Sequence, residues 1–284
     1  MCPLWTIFSN FALVEQEKRI TEQPSRYDHL ERMTVAELLQ HINEEDQVIA
    51  QAVAKILPSI APLVEAVVQR MKHGGRLFYV GAGTSGRLGV LDASELPPTF
   101  GMPDDRIIGI IAGGDRALRH SVERAEDSAV QGWLDLQAYH PAADDTVIGI
   151  AASGTTPYVV GALREARQHG LLTGCITNNP ETPLAAEADY PIEVIVGPEF
   201  VTGSTRMKSG TAQKMVLNMI STTLMIRLGR VEGNRMVKMQ LTNNKLIDRG
   251  TRMLQDYLGL DYTEARRRLL HAGSVDKALK DKEH

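Results

Sequence analysis

The segment LFYVGAGTSGRLG (77–89) sets Gly81, Gly83 and Gly86 among the hydroxyls of Thr84 and Ser85, directly after an apolar run. A second segment of this kind, SGTTPYVVG, spans 153–161, and a third, TGSTRMKSGT, spans 202–211. Each follows a strand-like run and opens a helical one. Glycine lets the backbone approach a ligand closely, and Ser and Thr add hydroxyl donors. Free N–H groups at a helix start carry the positive end of its dipole. The chemistry is anion binding, and several such loops converging suit one compact phosphomonoester. The residues that would hold it are Gly83, Thr84, Ser85 and Gly86 in the first loop, Ser153, Gly154, Thr155 and Thr156 in the second, and Ser204 in the third. A dinucleotide fits less well. Its fingerprint needs an acidic residue about 20 residues further on, at the end of the second strand. Here the first acid after that strand is Asp115, beyond Gly113 and Gly114. Thr84 and Ser85 would also crowd a close-packed pyrophosphate turn.

Acid–base chemistry needs carboxylates, and two stand near this cradle in sequence. Glu95 lies in GVLDASELPPTFG (89–101). Pro97 and Pro98 are expected to end the helix there by disfavouring α geometry at Leu96. A carboxylate at the negative end of a helix dipole is destabilised, so its pKa is expected to rise. That suits a general acid at neutral pH. Glu126, in HSVERAEDSAV (120–130), shares neighbouring helix faces with Glu123 and Asp127. Spacing alone reads this trio as an exposed acidic face, with a catalytic base as the alternative. Neither a Cys–His nor a Ser–His–Asp spacing is evident, and no His, Asp and Glu cluster has metal-ligand form.

The elements that must position these groups follow from periodicity. Apolar residues recur at helical spacing over 33–71, with Pro58 and Pro62 bending or breaking the second half. Short β-rich runs then appear at 77–80, 107–111, 147–151, 173–177 and 192–196, with helical stretches between them such as 117–138 and 157–169. Strands alternating with helices predict an α/β, doubly wound, mostly parallel five-stranded sheet. A hydrophobic helix is expected over 209–228, and the charged tail reads as two or three short helices. The division is an N-terminal extension at 1–19, a helical segment at 20–74, the sugar-phosphate-binding α/β domain at 75–242 and a short helical region at 243–284.

With 284 residues, a net charge of -4 and no long basic run, the chain gives no support for nucleic-acid binding. Its two cysteines, Cys2 and Cys175, match no zinc or redox spacing. A disulfide scaffold is excluded and a reducing compartment is the natural reading. The apolar stretch at 4–14 falls short of the ~20 residues a bilayer span requires and lacks signal-peptide flanks. No membrane role and a cytoplasmic location are therefore expected.

YVGAGTSGRLGVLDASELPPTFG, IIAGGDRALRHSVERAEDSA, IAASGTTPYVVGAL and VTGSTRMKSGTAQKMVLNMIST closely resemble, in order, the motifs of the N-acetylmuramic acid 6-phosphate etherases. These belong to the sugar-isomerase (SIS) domain superfamily, and the resemblance runs from about residue 20 to the C-terminus. It implies cleavage of the ether between sugar and D-lactate in amino-sugar recycling, without a metal or redox cofactor, by a homodimer. It places the two catalytic glutamates on Glu95, in DASE, and on Glu126, the second glutamate of VERAED. Glu95 is then expected to protonate the departing lactate and Glu126 to take the proton from C2. Lys208, near the third loop, is the cation offered to the enolate. Three departures from the family pattern stand out: Thr155 where many members have Arg, Arg124 where glycine is common, and a shorter C-terminal helical region. The same architecture also serves sugar-phosphate sensors and phosphosugar isomerases; the sensors need the loops but not the glutamates.

Overall fold

The structure is a computed structural model and describes residues 19–281. The extension expected at 1–19 thus lies, apart from Arg19, outside the described residues. Short runs of β-branched and apolar residues form five strands: β1 Leu77–Gly81, β2 Ile107–Ile111, β3 Thr146–Ile150, β4 Leu172–Thr177 and β5 Tyr190–Glu193. All pair in parallel in the order β2-β1-β3-β4-β5. The doubly wound sheet expected from the alternation is present. The fifth strand starts two residues early, and Pro191 is tolerated because β5 is an edge strand.

Successive side chains of β1 point to opposite faces, and each face carries its own core. Leu77 and Tyr79 pack with Ile49, Leu63, Leu96 and Val216, from α1 (Val35–Lys55), α2 (Leu57–Lys72), α3 (Gly83–Phe100) and α7 (Lys208–Arg227). Phe78 and Val80 pack with Trp133, Leu163 and Leu184, from α4 (Gln131–Gln137), α5 (Pro157–Gln168) and α6 (Pro183–Ala186). Each fully buried aliphatic side chain contributes roughly 1.5–3 kcal/mol. The tail forms α8 (Asn244–Leu258), α9 (Tyr262–Ala272) and α10 (Val275–Lys280) around Met239, Leu254 and Leu269.

The structure bears out one local reading, a break at Pro58, and corrects others: Pro62 lies inside α2 without breaking it. The helical run over 33–71 breaks at Ile56, and α1 and α2 meet at 58°. Pro58 has no N–H to return to the Ala54 carbonyl, so the ladder is cut one turn ahead of it. Conversely, α3 does not stop at Leu96 but continues through Pro97 and Pro98 to Phe100. Its end is held by Gly101, at φ 60°, whose N–H donates to the Pro97 carbonyl (2.9 Å), while the Pro98 carbonyl accepts from the N–H of Gln240 (3.2 Å). The largest correction is at 117–138. A 3-10 turn, Asp115–Leu118, gives way to consecutive turns, and only Gln131–Gln137 is α-helix. Glu126 therefore sits on a turn. Among the described residues no single helix is long and apolar enough to cross a membrane.

Candidate active site

In the 2-1-3-4-5 order the chain reverses direction between β1 and β3, which opens a crevice at their carboxyl ends. Gly81 of β1 registers with Ile150 of β3, so the first two glycine–hydroxyl loops lie side by side at that crevice. Gly83 adopts φ 52° with open space where a Cβ would be, and it begins α3. The first N–H groups of a helix have no intrahelical partner, and here they face the crevice. Gly86 has a structural reason to be glycine. A Cβ there would stand 2.6 Å from Ile111 and 2.8 Å from the Gly81 carbonyl oxygen.

Ser85 is buried, and its hydroxyl donates to Gln213 Oε1 (2.8 Å). Gln213 donates in turn to Asn178 (2.9 Å), whose amide donates to the Val194 carbonyl (2.9 Å). This buried chain ties the first loop to α7 and to the ends of β4 and β5. The Thr84 methyl stands 3.3 Å from where a Gly210 Cβ would lie, so the third loop abuts the first. In the second loop, Ser153 Oγ accepts from the N–H and the hydroxyl of Thr155 (both 3.2 Å). Gly154, at φ 69°, lets the loop lie against Thr182, which a Cβ would meet at 2.4 Å.

The third loop departs from expectation. Glu199, 1% exposed, accepts the N–H groups of Lys208 (2.8 Å) and Ser209 (3.0 Å). An internal carboxylate already occupies the anion position at the start of α7. Lys208 is equally buried, and its ammonium pairs with Glu45 on α1, whose other oxygen lies 3.7 Å from Arg26. Ser204 remains half-buried on the loop above. The segment at 20–26 crosses this region as a strap. Asn179 donates to the Thr21 hydroxyl (2.9 Å), and Ser25 donates to the Phe200 carbonyl (2.7 Å). Glu45, Asn178, Asn179, Glu199 and Gln213 were not identified from sequence. No short motif marks them, because each acts through a contact distant in the chain.

Glu126 is brought to the second loop by backbone. Its carbonyl accepts the N–H of Tyr158 (3.0 Å) in the first turn of α5. The turn presses so closely that a Cβ on Gly161 would stand 1.7 Å from the Ala129 carbonyl oxygen. The Glu126 side chain is exposed. Arg124, the residue standing where glycine is common in the family, adopts φ 59°. A left-handed conformation costs a non-glycine residue ~1–2 kcal/mol, and glycine returns part of that as unfolded-chain entropy. Arg124→Gly is therefore expected to raise Tm by about 1–4 °C; a thermal melt that falls would contradict this.

Glu95 lies elsewhere. It follows Ser85 by ten residues, so it sits roughly 15 Å further along α3. Val90 already covers Gly109 in the middle of β2, which puts Glu95 at the opposite end of the sheet. It also sits on the opposite face from α5. The sequence reading that both acids stand near one cradle fails within a single chain, because a helix carries its later residues away from its start. Glu95 is exposed, with no hydrogen bond or ion pair among the described residues. It lines a groove of about 310 Å³ between α3 and α7, with Leu91, Asp92, Lys214, Asn218 and Ser221. There the Ser221 hydroxyl donates to Asp92 (3.0 Å), and burial raises the Asp92 pKa. Among the described residues no three His, Cys, Asp or Glu side chains gather as metal ligands.

A model of the glucokinase regulatory protein N-terminal SIS domain matches residues 59–167, and one of the SIS domain matches 138–222. The N-acetylmuramic acid 6-phosphate etherase of Porphyromonas gingivalis (strain ATCC 33277) is 69% identical over 258 residues, covering 91% of this chain and 94% of its own. That of Bacteroides thetaiotaomicron is 66% identical, covering 92% and 94%. That of Pectobacterium atrosepticum is 53% identical, covering 84% and 79%. Among solved structures, an Escherichia coli CFT073 protein, solved as a complex, matches with a TM-score of 0.52 at 20% identity, over 71% of this chain and 97% of its own. A Bacteroides fragilis chain described as a phosphosugar isomerase involved in capsule formation matches at 0.51 and 24%, over 69% and 98%. These two likenesses concern the fold.

Proposed function

The chain belongs to the N-acetylmuramic acid 6-phosphate etherases, and on that premise we propose that it cleaves the lactyl ether of N-acetylmuramic acid 6-phosphate. The products are N-acetylglucosamine 6-phosphate and D-lactate, and the role is amino-sugar recycling in the cytoplasm. The single observation that carries the reading is the pair of glycine–hydroxyl loops at the β1/β3 crevice, with Glu126 bound by its backbone to the second of them.

The free N–H groups at the start of α3 and the hydroxyls of Thr84, Ser153, Thr155, Thr156 and Ser204 hold the 6-phosphate. Opening of the sugar ring exposes an aldehyde, which acidifies the hydrogen on C2. Glu126 removes that hydrogen as a proton. The C3–O bond then breaks, and Glu95 protonates the departing lactate oxygen. Water adds to C3 of the resulting double bond, giving its proton to the Glu95 carboxylate, while Glu126 returns a proton to C2. Both glutamates end as they began, and no oxidant or reductant is consumed. In this reading Lys208 positions the third loop through Glu45 and does not touch the enolate.

Purified protein incubated with N-acetylmuramic acid 6-phosphate is expected to release D-lactate in step with N-acetylglucosamine 6-phosphate, and to keep doing so in the presence of a chelator. Binding without turnover would favour a sensor instead. Aldose–ketose conversion without lactate would favour an isomerase.

A further inference from the structure

The structure assigns to Thr21, on the strap at 20–26, a positioning role in phosphate binding: through Asn179 it holds the Ser153 N–H aimed into the β1/β3 crevice. The inference rests on the proposed phosphate site and adds to it a backbone donor and the two side chains that set it. β3 lies between β1 and β4. Beyond its last residue, Ile150, the chain goes on bonding to the β4 side. The Ala151 N–H donates to the Ile176 carbonyl (3.1 Å), and the Ala152 carbonyl accepts the Asn178 N–H (3.0 Å). In a trans peptide the N–H points opposite to the C=O. With the Ala152 carbonyl turned towards β4, the Ser153 N–H of the same peptide unit turns towards β1. No strand receives it there, because β1 ends at Gly81 and the chain leaves into α3. Among the described residues this N–H has no hydrogen-bond partner. The Ser153 hydroxyl oxygen already accepts twice from Thr155, so its own hydrogen remains for the same anion.

One hydrogen bond leaves a peptide unit free to tilt about it, and a second donor fixes its plane. That donor is Asn179, whose Nδ2 donates to the Ala152 carbonyl (3.0 Å) and to the Thr21 hydroxyl (2.9 Å). Its Oδ1 accepts the Thr21 N–H (3.3 Å). Both hydrogens of the amide are then used. The Thr21 N–H can only donate, so it decides which end of the amide is oxygen. With the amide reversed, Oδ1 would oppose the Ala152 carbonyl, acceptor against acceptor. Thr21 and Asn179 are both buried, so water does not stand in for either of them. The strap at the start of the described chain thus sets a donor of the second loop, 132 residues away from Thr21 in sequence. Coupling of this kind is reciprocal: a latched strap favours phosphate, and bound phosphate favours the latch.

Thr21→Val keeps the shape of the side chain and removes the hydroxyl. It is expected to raise KM for N-acetylmuramic acid 6-phosphate about tenfold, the lower end of what a hydrogen bond to a charged group contributes. The change in kcat should stay within about twofold, because the 6-phosphate is held alike before and during reaction. Inhibition by inorganic phosphate should weaken by the same factor as KM. Thr21→Ser restores the hydroxyl and should restore KM. A fall in kcat at unchanged KM, or a Ser variant as impaired as the Val variant, would overturn the positioning role. A second measurement needs no variant. In the wild-type protein, N-acetylglucosamine 6-phosphate is expected to slow amide hydrogen exchange at 20–26 as well as at 153–156. Protection at 153–156 without any at 20–26 would overturn the coupling and leave the phosphate site standing. Protection at neither 83–86 nor 153–156 would overturn the phosphate site itself, and the inference with it.

Discussion

Glu95→Gln is expected to lower D-lactate release by about 10²–10⁴-fold, the usual contribution of a positioned acid or base, while exchange of the C2 hydrogen with deuterated solvent continues. Glu126→Gln is expected to abolish exchange and release together. The asymmetry follows from the order of steps, because the C2 proton leaves before the C3–O bond breaks. In the proposed mechanism Glu126 acts at the first step and Glu95 at the second. Proton NMR of the sugar in deuterium oxide reads exchange, and an enzymatic lactate assay reads release. Loss of exchange to the same extent in both variants would reverse or merge the roles. Since both side chains are exposed, neither substitution should move Tm appreciably, so lost activity is not lost fold.

The second large effect is on stability. Lys208→Met leaves Glu45 as a buried carboxylate with only Arg26, 3.7 Å away and mostly exposed, to offset its charge. Removing one partner of a buried pair typically costs 3–5 kcal/mol, on the order of 10 °C in Tm for a chain of this size. The double variant Lys208→Met with Glu45→Leu removes both charges and should regain most of that loss, because well-packed apolar replacements of a buried pair are often near neutral. Thermal or urea denaturation of the three proteins measures the difference. A single variant as stable as the wild type would show that the pair holds nothing together. A stable double variant without activity would return Lys208 to the chemistry, as the cation for the enolate first suggested by its place near the third loop.

The glycine–hydroxyl turns at helix starts were legible in the sequence because they are local. Glycine, hydroxyl and helix start lie within a few residues of one another, and backbone conformation follows from them directly. Gly83 and Gly154 take the left-handed conformations that their type permits. The alternation of strand and helix was legible for the same reason, down to the two-faced burial of Leu77 to Val80. The turn carrying Glu126 was not, because charged residues at helical spacing suit a helix equally well. What fixes the turn is the Tyr158 N–H, thirty-two residues later in the chain.

The amino-acid order alone determined the parallel α/β architecture, the glycine–hydroxyl loops and which two glutamates match the family motifs. Tertiary structure decided the rest. It put Glu199 at the start of α7 in the place of an incoming anion, buried Lys208 against Glu45, and latched the strap at Thr21 onto Asn179. It also set Glu95 and Glu126 at opposite ends and faces of one sheet. Sequence motifs record which residues are near one another along the chain. Where a rigid helix delivers a side chain depends on its axis and on what packs beside it.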